Sequence, residues 1–555
     1  MPGGLLNIIS EGNNNIILTG SPTKTFFNVK YAKYTNFGMQ KFRIDYDGTR
    51  DLRLSEPSTF KFKVKRYADL LMDTYLSVTL PDIWSPIFHP TVETGNEWAP
   101  YDFKWIKDIG TSMIREIVIS CGNTVLQKYS GEYIASMVER DFTSEKKDLF
   151  NKMTGNVAEL YSPATSLGRA NCYPSAFFTE STMGSEPSIR GRTLYIPINA
   201  WFGMDSRCAF PLISLQYNEL EISVTLRPIQ ELFQVRDVFD NINNYPYIQP
   251  DFNRTEFQMF RFLQTPPSIF IYSANFINQT KIWNADVHLM ATYCFLSNEE
   301  RELFASKEQV YLMKDIFQYN FENITGSKKV KLISSSGMVS SWMFYLQRND
   351  VNMRNEWSNY TNWPYSTPPL TIESAPAIIP ADYEQEAARY GFSDGPRFNP
   401  DSQNTGFYIT GDFNLENRKE ILETMGILLN GEYRENVQTR GVFDYIEKYA
   451  RTRGTAKDGL YCYNFCLNTD PKEYQPSGAI NMSKFKNIEL EITTYVPEFS
   501  EDSSFNIICD GDGNVIGVNK QNWKLYDYNY NLTLFEERYN VLSFVNGNCG
   551  LLYAK

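Results

Sequence analysis

At 555 residues the chain is longer than one hydrophobic core can serve, so two large domains or three small ones are expected. A formal net charge of −12 argues against binding a phosphate backbone, where Lys and Arg supply the affinity by displacing counterions. No apolar run reaches the roughly 18 residues of a membrane-spanning helix.

Aromatic content of 15%, combined with Asn-, Gly- and Pro-containing turns between short alternating runs, favours strands and two large β-domains. The first residues, Met1 to Ser10, have no basic segment and an apolar stretch interrupted by Asn7, which does not read as a secretory signal. Phe60 to Lys65 alternates apolar and basic residues, a strand with one buried face and one lysine-lined face. The same period-two pattern recurs in Leu76 to Leu80, closed by Pro81.

A helix is predicted over Glu132 to Arg140. Leu220 to Leu226 alternates again and stops at Arg227-Pro228. The polar, Asn-rich stretch 231–255 then reads as an interdomain linker. An apolar strand, Val287 to Leu296, leads into Ser297-Asn298-Glu299-Glu300, a capping-box spacing that starts a helix through Ala305. Seven prolines between Asn349 and Gln403 mark a long excursion from a β-scaffold. Another helix is predicted over Glu416 to Met425.

Ile488 to Thr493 repeats the Glu-on-one-face alternation of Leu220 to Leu226 at a corresponding late point, a hint of duplication. Finally, Asp510 to Asn514 reads as a hairpin turn joining Ile507-Ile508 to Val515-Ile516.

Chemistry-bearing patterns are sparse. The two histidines, His89 and His288, have no acidic or Cys neighbour in sequence that would form a catalytic device. There is no phosphate-cradling GxxxxGK[ST], and the Asp510 segment lacks both the Gly and the Glu that a calcium loop requires. Eight cysteines are scattered without a CxxC pair, so reduced, mostly buried thiols are expected. Cys462 and Cys466 would share one face of a strand yet lie roughly 13 Å apart, too far for one tetrahedral metal. No catalytic, cofactor-binding or metal-binding residue is nominated, and no cofactor is expected.

Particular segments carry a family resemblance. Gly3-Gly4-Leu5-Leu6, Leu18 to Phe27 and Tyr34 to Phe37 resemble the start of the major capsid proteins of nucleocytoplasmic large DNA viruses, those of iridoviruses, phycodnaviruses and mimiviruses. Tyr195 to Ile198, Trp201-Phe202 and Phe210 to Glu219 follow in the family's order. So do Leu429 to Arg434, Tyr461 to Phe465 and Gln475 to Ser483. Tyr31-Ala32-Lys33-Tyr34 departs from the family's basic pattern at that point, as does Ser336 to Val339 from its Asn-His-Pro turn.

The resemblance implies an all-β chain of two consecutive eight-stranded antiparallel jelly rolls with a few short helices and long surface loops. Its expected parts are an N-terminal arm (1–28), a first roll (29–230), the linker (231–255) and a second roll (256–555) with a Pro-rich insertion at about 349–410. It implies a structural, non-enzymatic role: homotrimers forming pseudo-hexameric capsomers of an icosahedral virion, assembled in the host cytoplasm. The implied partners are neighbouring capsomers, minor capsid proteins and the internal membrane beneath the shell, without direct nucleic-acid binding. Two other readings stay open, a minor capsid paralogue of the same fold and a carbohydrate-binding β-sandwich.

Overall fold

The computed structural model describes residues 3–48, 51–91, 94, 98–169, 171–176, 185–241, 243–267, 270–367, 418–499, 506–509, 513, 515–519 and 523–553. Sixteen strands make up two copies of one arrangement. In the first half these are β1 (Phe37–Ile44), β2 (Ser58–Val64), β3 (Leu70–Leu80), β4 (Ile114–Cys121), β5 (Thr124–Tyr129), β6 (Arg192–Pro197), β7 (Leu220–Leu226) and β8 (His288–Leu296). One sheet runs β1-β8-β3-β6 and faces a second, β2-β7-β4-β5, with every pairing antiparallel.

The second half repeats this strand for strand. Its elements are β9 (Gln309–Phe321), β10 (Ser327–Lys331), β11 (Met338–Arg348), β12 (Leu422–Leu429), β13 (Glu432–Thr439), β14 (Leu460–Asn464), β15 (Ile488–Thr494) and β16 (Tyr530–Val545). They form the sheets β9-β16-β11-β14 and β10-β15-β12-β13, and a last strand, β17 (Asn548–Leu551), folds back on the end of β16. Each half is therefore an eight-stranded jelly roll.

Period-two patterning accounts for the faces. In β7 and β15 every second residue is buried while the intervening Glu, Ser or Thr is half-exposed, so apolar side chains fill the space between sheets. Their common central position explains the hint of duplication seen in the sequence. The hairpin β12–β13 turns through Asn430-Gly431, both at positive φ, as a two-residue type I′ turn demands.

Three expectations need correction. The stretch 231–255 is not a linker: Phe233–Arg236 pairs with Tyr247–Ile248 and with Lys104–Trp105 in a small sheet. Its Asn-rich turn is polar because Asn244 takes a left-handed backbone, while Phe233, Val235 and Val238 are buried beneath it. The first roll consequently ends at β8, whose pairing with β1 and β3 completes its sheet, and the passage between rolls is the short helix Asn298–Ser306. That helix begins as predicted, with the Ser297 hydroxyl accepting the Glu300 amide.

The helix expected over Glu416 to Met425 is absent from its described part, where Leu422–Leu429 is strand β12 between β15 and β13. Sheet pairing on both sides outweighs the helix propensity of Leu, Glu and Met. In the Pro-rich excursion, residues 349–367 pack against the roll instead of leaving it: Asp350 is held by Arg348 (2.7 Å) and Arg354 (2.9 Å), all three buried. The rest of that expected loop, residues 368–410, lies outside the described residues.

The helix predicted over Glu132 to Arg140 is α1 (Gly131–Asp141). The expected hairpin is also found, with Asn506–Cys509 paired to Val515–Asn519.

Strand alternation fixes the two ends of each roll. The described parts of connections 81–113, 130–191 and 227–287 lie at one end, with those of 349–421, 440–459 and 495–529 beside them. The arm preceding β1, the helix Asn298–Ser306 and the β16–β17 turn lie at the other.

Candidate assembly surfaces

At the outer edge of the first roll, Leu126, Gln127 and Tyr129 of β5 and most of the following α1 are buried, with the second roll against them, while Thr124, Val125 and Lys128 stay exposed. Gln127 Nε2 donates to the Lys314 carbonyl of β9 at 2.9 Å. Tyr133 on α1 donates to Glu537 Oε1 of β16 at 3.0 Å, and Arg140 Nη2 donates to the same oxygen at 2.8 Å. Arg140 also pairs with Asp141 (2.7 Å) and donates to Ser341 Oγ (3.1 Å), while Lys314 Nζ stands 3.5 Å from Glu537.

These two cations and two carboxylates balance, which a water-free site requires. Burial alone would raise the Glu537 pKa, but Arg140 and Lys314, aided by the Ser341 and Tyr133 hydroxyls, hold it down at about 2. An apolar layer seals the junction. Tyr311, Met313, Phe535 and Phe544 of the second roll belong to the same buried cluster as the core of the first. Phe210 and Phe544 meet edge to face at 5.2 Å.

Among the described residues, the matching edge of the second roll has no such cover. β13 corresponds to β5 position by position: Cys121 opposes Thr124 and, past a bulge, Ile119 opposes Gln127, just as Leu429 opposes Glu432 and, past a bulge, Ile427 opposes Glu435. β13 is nonetheless exposed or half-exposed along its whole length. The helical segment after it, Val442–Ile446 continuing into α2 (Glu447–Arg451), occupies the place of α1. There Tyr445 and Ile446 are each 60% exposed and Tyr449 is 95% exposed.

At the opposite flank of the chain, β1 stands where β9 stands in the second roll. Tyr311 and Met313 of β9 are buried, whereas Phe37 and Met39 of β1 face solvent. Beyond β1, the arm 3–36 exposes Leu5, Leu6, Ile8, Ile17, Leu18 and Phe27 among others and buries nothing. Apolar surface so continuous marks a contact region.

Similarity to known proteins fits this arrangement. A family model described as "Major capsid protein N-terminus" matches residues 25–289, and one described as "Large eukaryotic DNA virus major capsid protein" matches residues 300–550. The chain belongs to this capsid protein family. The major capsid proteins of Phaeocystis pouchetii virus and of Paramecium bursaria Chlorella virus 1 are each 22% identical to it, over the full length of both chains. Among solved structures, PBCV-1 VP54 aligns with TM-score 0.59 and 18% identity over 96% of this chain and all of that one. The Faustovirus major capsid protein gives 0.59 and 12% over 96% and 94%. These structural likenesses speak to the double jelly-roll fold.

For this capsid protein the sequence nominated no chemical site. His89 is buried among Phe88, Phe270 and Tyr272, and desolvation, reinforced by Arg261, lowers its pKa. His288, contrary to the expectation that it has no acidic neighbour, follows Asp286 by two residues: its Nδ1 lies 2.7 Å from the Asp286 carbonyl oxygen and 3.5 Å from the Asp286 carboxylate. Among the described residues no three His, Cys, Asp or Glu side chains gather as metal ligands. Cys462 and Cys466 are buried free thiols, as expected. Sequence reasoning missed the Arg140–Glu537 junction, whose members are 397 residues apart; the available signal was Glu536-Glu537-Arg538, a charged run inside an otherwise uncharged strand.

Proposed function

We propose that three copies of this major capsid protein close into a capsomer of six jelly rolls, and that such capsomers tile the icosahedral shell of a large DNA virus. The observation that carries the reading is the mismatch between equivalent edges. Part of β5 and most of α1 are covered by β9 and β16 within one chain, while among the described residues nothing covers β13 with Tyr449 or β1 with Phe37. A second copy that sets its β1 edge against β13 repeats the internal junction. Because such a head-to-tail contact joins different patches, it propagates until a ring closes.

Each contact between chains then buries on the order of 2,000 Å², as in obligate complexes. Contacts between capsomers are weaker singly and add through multiplicity. The apolar arm, at the end opposite the long loops, is available to neighbouring capsomers, minor capsid proteins or the membrane beneath the shell. Assembly takes place in the host cytoplasm, where the free thiols stay reduced. This role requires no catalysis, no cofactor and no direct contact with the genome.

Light scattering after size exclusion, with negative-stain imaging of the peak, tests the reading. The expected particle has the mass of three 64.2-kDa chains and a hexagonal outline. A stable monomer overturns it.

A further inference from the structure

The polar centre of the junction between rolls has a counterpart in the first roll that lacks its other half. β3 takes the place of β11 and β8 that of β16, and both pairs bulge at the same point, between Leu71 and Thr74 in β3 and between Val339 and Ser341 in β11. Counted from that bulge, Asp73 stands where Ser341 stands and Thr292 where Glu537 stands. The neighbouring strands agree, since Phe42 of β1 opposes Ala291 as Phe317 of β9 opposes Glu536. Each position holds a carboxylate and a hydroxyl, with the strands exchanged. Ser341 Oγ donates to Glu537 at 2.9 Å, and Thr292 Oγ1 donates to Asp73 Oδ2 at 2.9 Å.

The two carboxylates differ in their cover. Glu537 receives Tyr133 and Arg140 from α1, whereas Asp73 is only half-buried and lines an open pocket with Tyr75, Pro197 and Asn199. At this pocket the Asn199 amide nitrogen is buried without an acceptor, and a buried donor normally has one. Lys41, which opposes Thr292, lies over the Tyr75 ring at 5.9 Å from its centre. With that cation already at the site, a neutral donor keeps the charges balanced and a second cation would not.

We propose that the pocket receives Tyr449 of a second copy of this chain, its hydroxyl donating to the Asp73 carboxylate and accepting from Asn199 Nδ2. The pairing rests on the head-to-tail contact proposed above and names the residues at its centre. Tyr449 is placed for this role. Ile134 of α1 and Phe443 of the helical segment after β13 are both fully buried in the first turns of their helices, and Tyr449 follows Phe443 at the interval at which Arg140 follows Ile134. A phenol thus stands where the internal junction has its guanidinium, and it is almost wholly exposed in the single chain.

A double-mutant cycle on the full-length chain tests the pairing. Trimer dissociation is followed by sedimentation over a dilution series, in urea sufficient to half-dissociate the wild type, with a thermal scan of each variant. Tyr449→Phe and Asp73→Asn are each expected to weaken association about tenfold per contact, the loss of one hydrogen bond to a charged group. The double variant D73N/Y449F should be no weaker than either. Y449E should abolish trimers and D73K/Y449E regain them; should the latter fail to fold, the D73N cycle decides. A trimeric wild type that neither single variant weakens, or losses that simply add, overturns the pairing and leaves the trimer standing, whereas a monomeric wild type overturns both.

Discussion

Arg140 and Glu537 meet at 2.8 Å with their side chains 0% and 2% exposed, one on a helix of the first roll and the other on the longest strand of the second. Each ion compensates the other where water cannot. Removing one therefore costs far more than the pair contributes relative to an apolar filling. Glu537→Gln, which leaves the two cations Arg140 and Lys314 with Asp141 alone to balance them, is expected to destabilise the chain by about 3–5 kcal/mol. Arg140→Met is expected to do the same. The double variant R140M/E537L should lose less than the sum of the two, and denaturant midpoints for the four proteins read this coupling directly.

Acid should loosen the same junction. The Glu537 carboxyl is held at about 2 against an ordinary 4.5, and Asp350 is likewise lowered: its burial, which opposes ionisation, is outweighed by Arg354 and Arg348. A depressed carboxylate pKa stabilises the fold fully above the ordinary value, and that stability drains away as pH falls through the folded value. For Glu537 the window runs from pH 4.5 down to about 2, and the loss is about 3 kcal/mol. Thermal midpoints measured across this window should fall more steeply for the wild type than for E537Q. Parallel curves would mean that Glu537 is not ionised in the folded chain.

Much of this fold was legible in the sequence because strands buried on one face advertise it. Phe60 to Lys65, Leu220 to Leu226 and Ile488 to Thr493 are all strands with the predicted buried faces. What misled was composition without pairing. Asn241 to Asn244 looks like a linker because its turn residues are polar, yet Phe233 and Val235 next to it are core. Leu422 to Met425 looks helical because propensity is local, whereas the β15 and β13 neighbours that settle its state come from later in the chain. The assembly surfaces were illegible for a different reason. Tyr449 and Tyr133 are both aromatic residues on a helix after a strand, and only the fold distinguishes the covered one from the exposed one.

That distinction leads to a third expectation. Tyr449 projects into solvent, so Tyr449→Glu should change the stability of the single chain by no more than about 0.5 kcal/mol. It should nevertheless prevent trimer formation, since it places a charge at the centre of the proposed contact. Phe37→Asp on the complementary β1 edge should have the same effect. Size-exclusion light scattering beside a thermal scan separates the two quantities: unchanged unfolding with a shift from trimer to monomer is the expected pair of results. Trimers that persist in both variants would place the contact elsewhere.

The arm makes a separable contribution. Residues 3–36 bury none of their side chains against the rolls, so deleting Met1 to Asn28 should leave the unfolding midpoint of the chain within about 0.5 kcal/mol of wild type. β1 begins only at Phe37, so the edge that is to meet β13 survives the deletion, and trimers should form normally. What should be lost is shell assembly, because the exposed Leu, Ile and Phe side chains of the arm lie at the end of the rolls opposite the long loops, where they can bridge to a neighbour or to the layer beneath. Imaging of particles assembled from truncated and full-length chains at equal trimer concentration reads this step alone. Failure of the truncated chain to trimerise at all would instead assign the arm to the contact between copies.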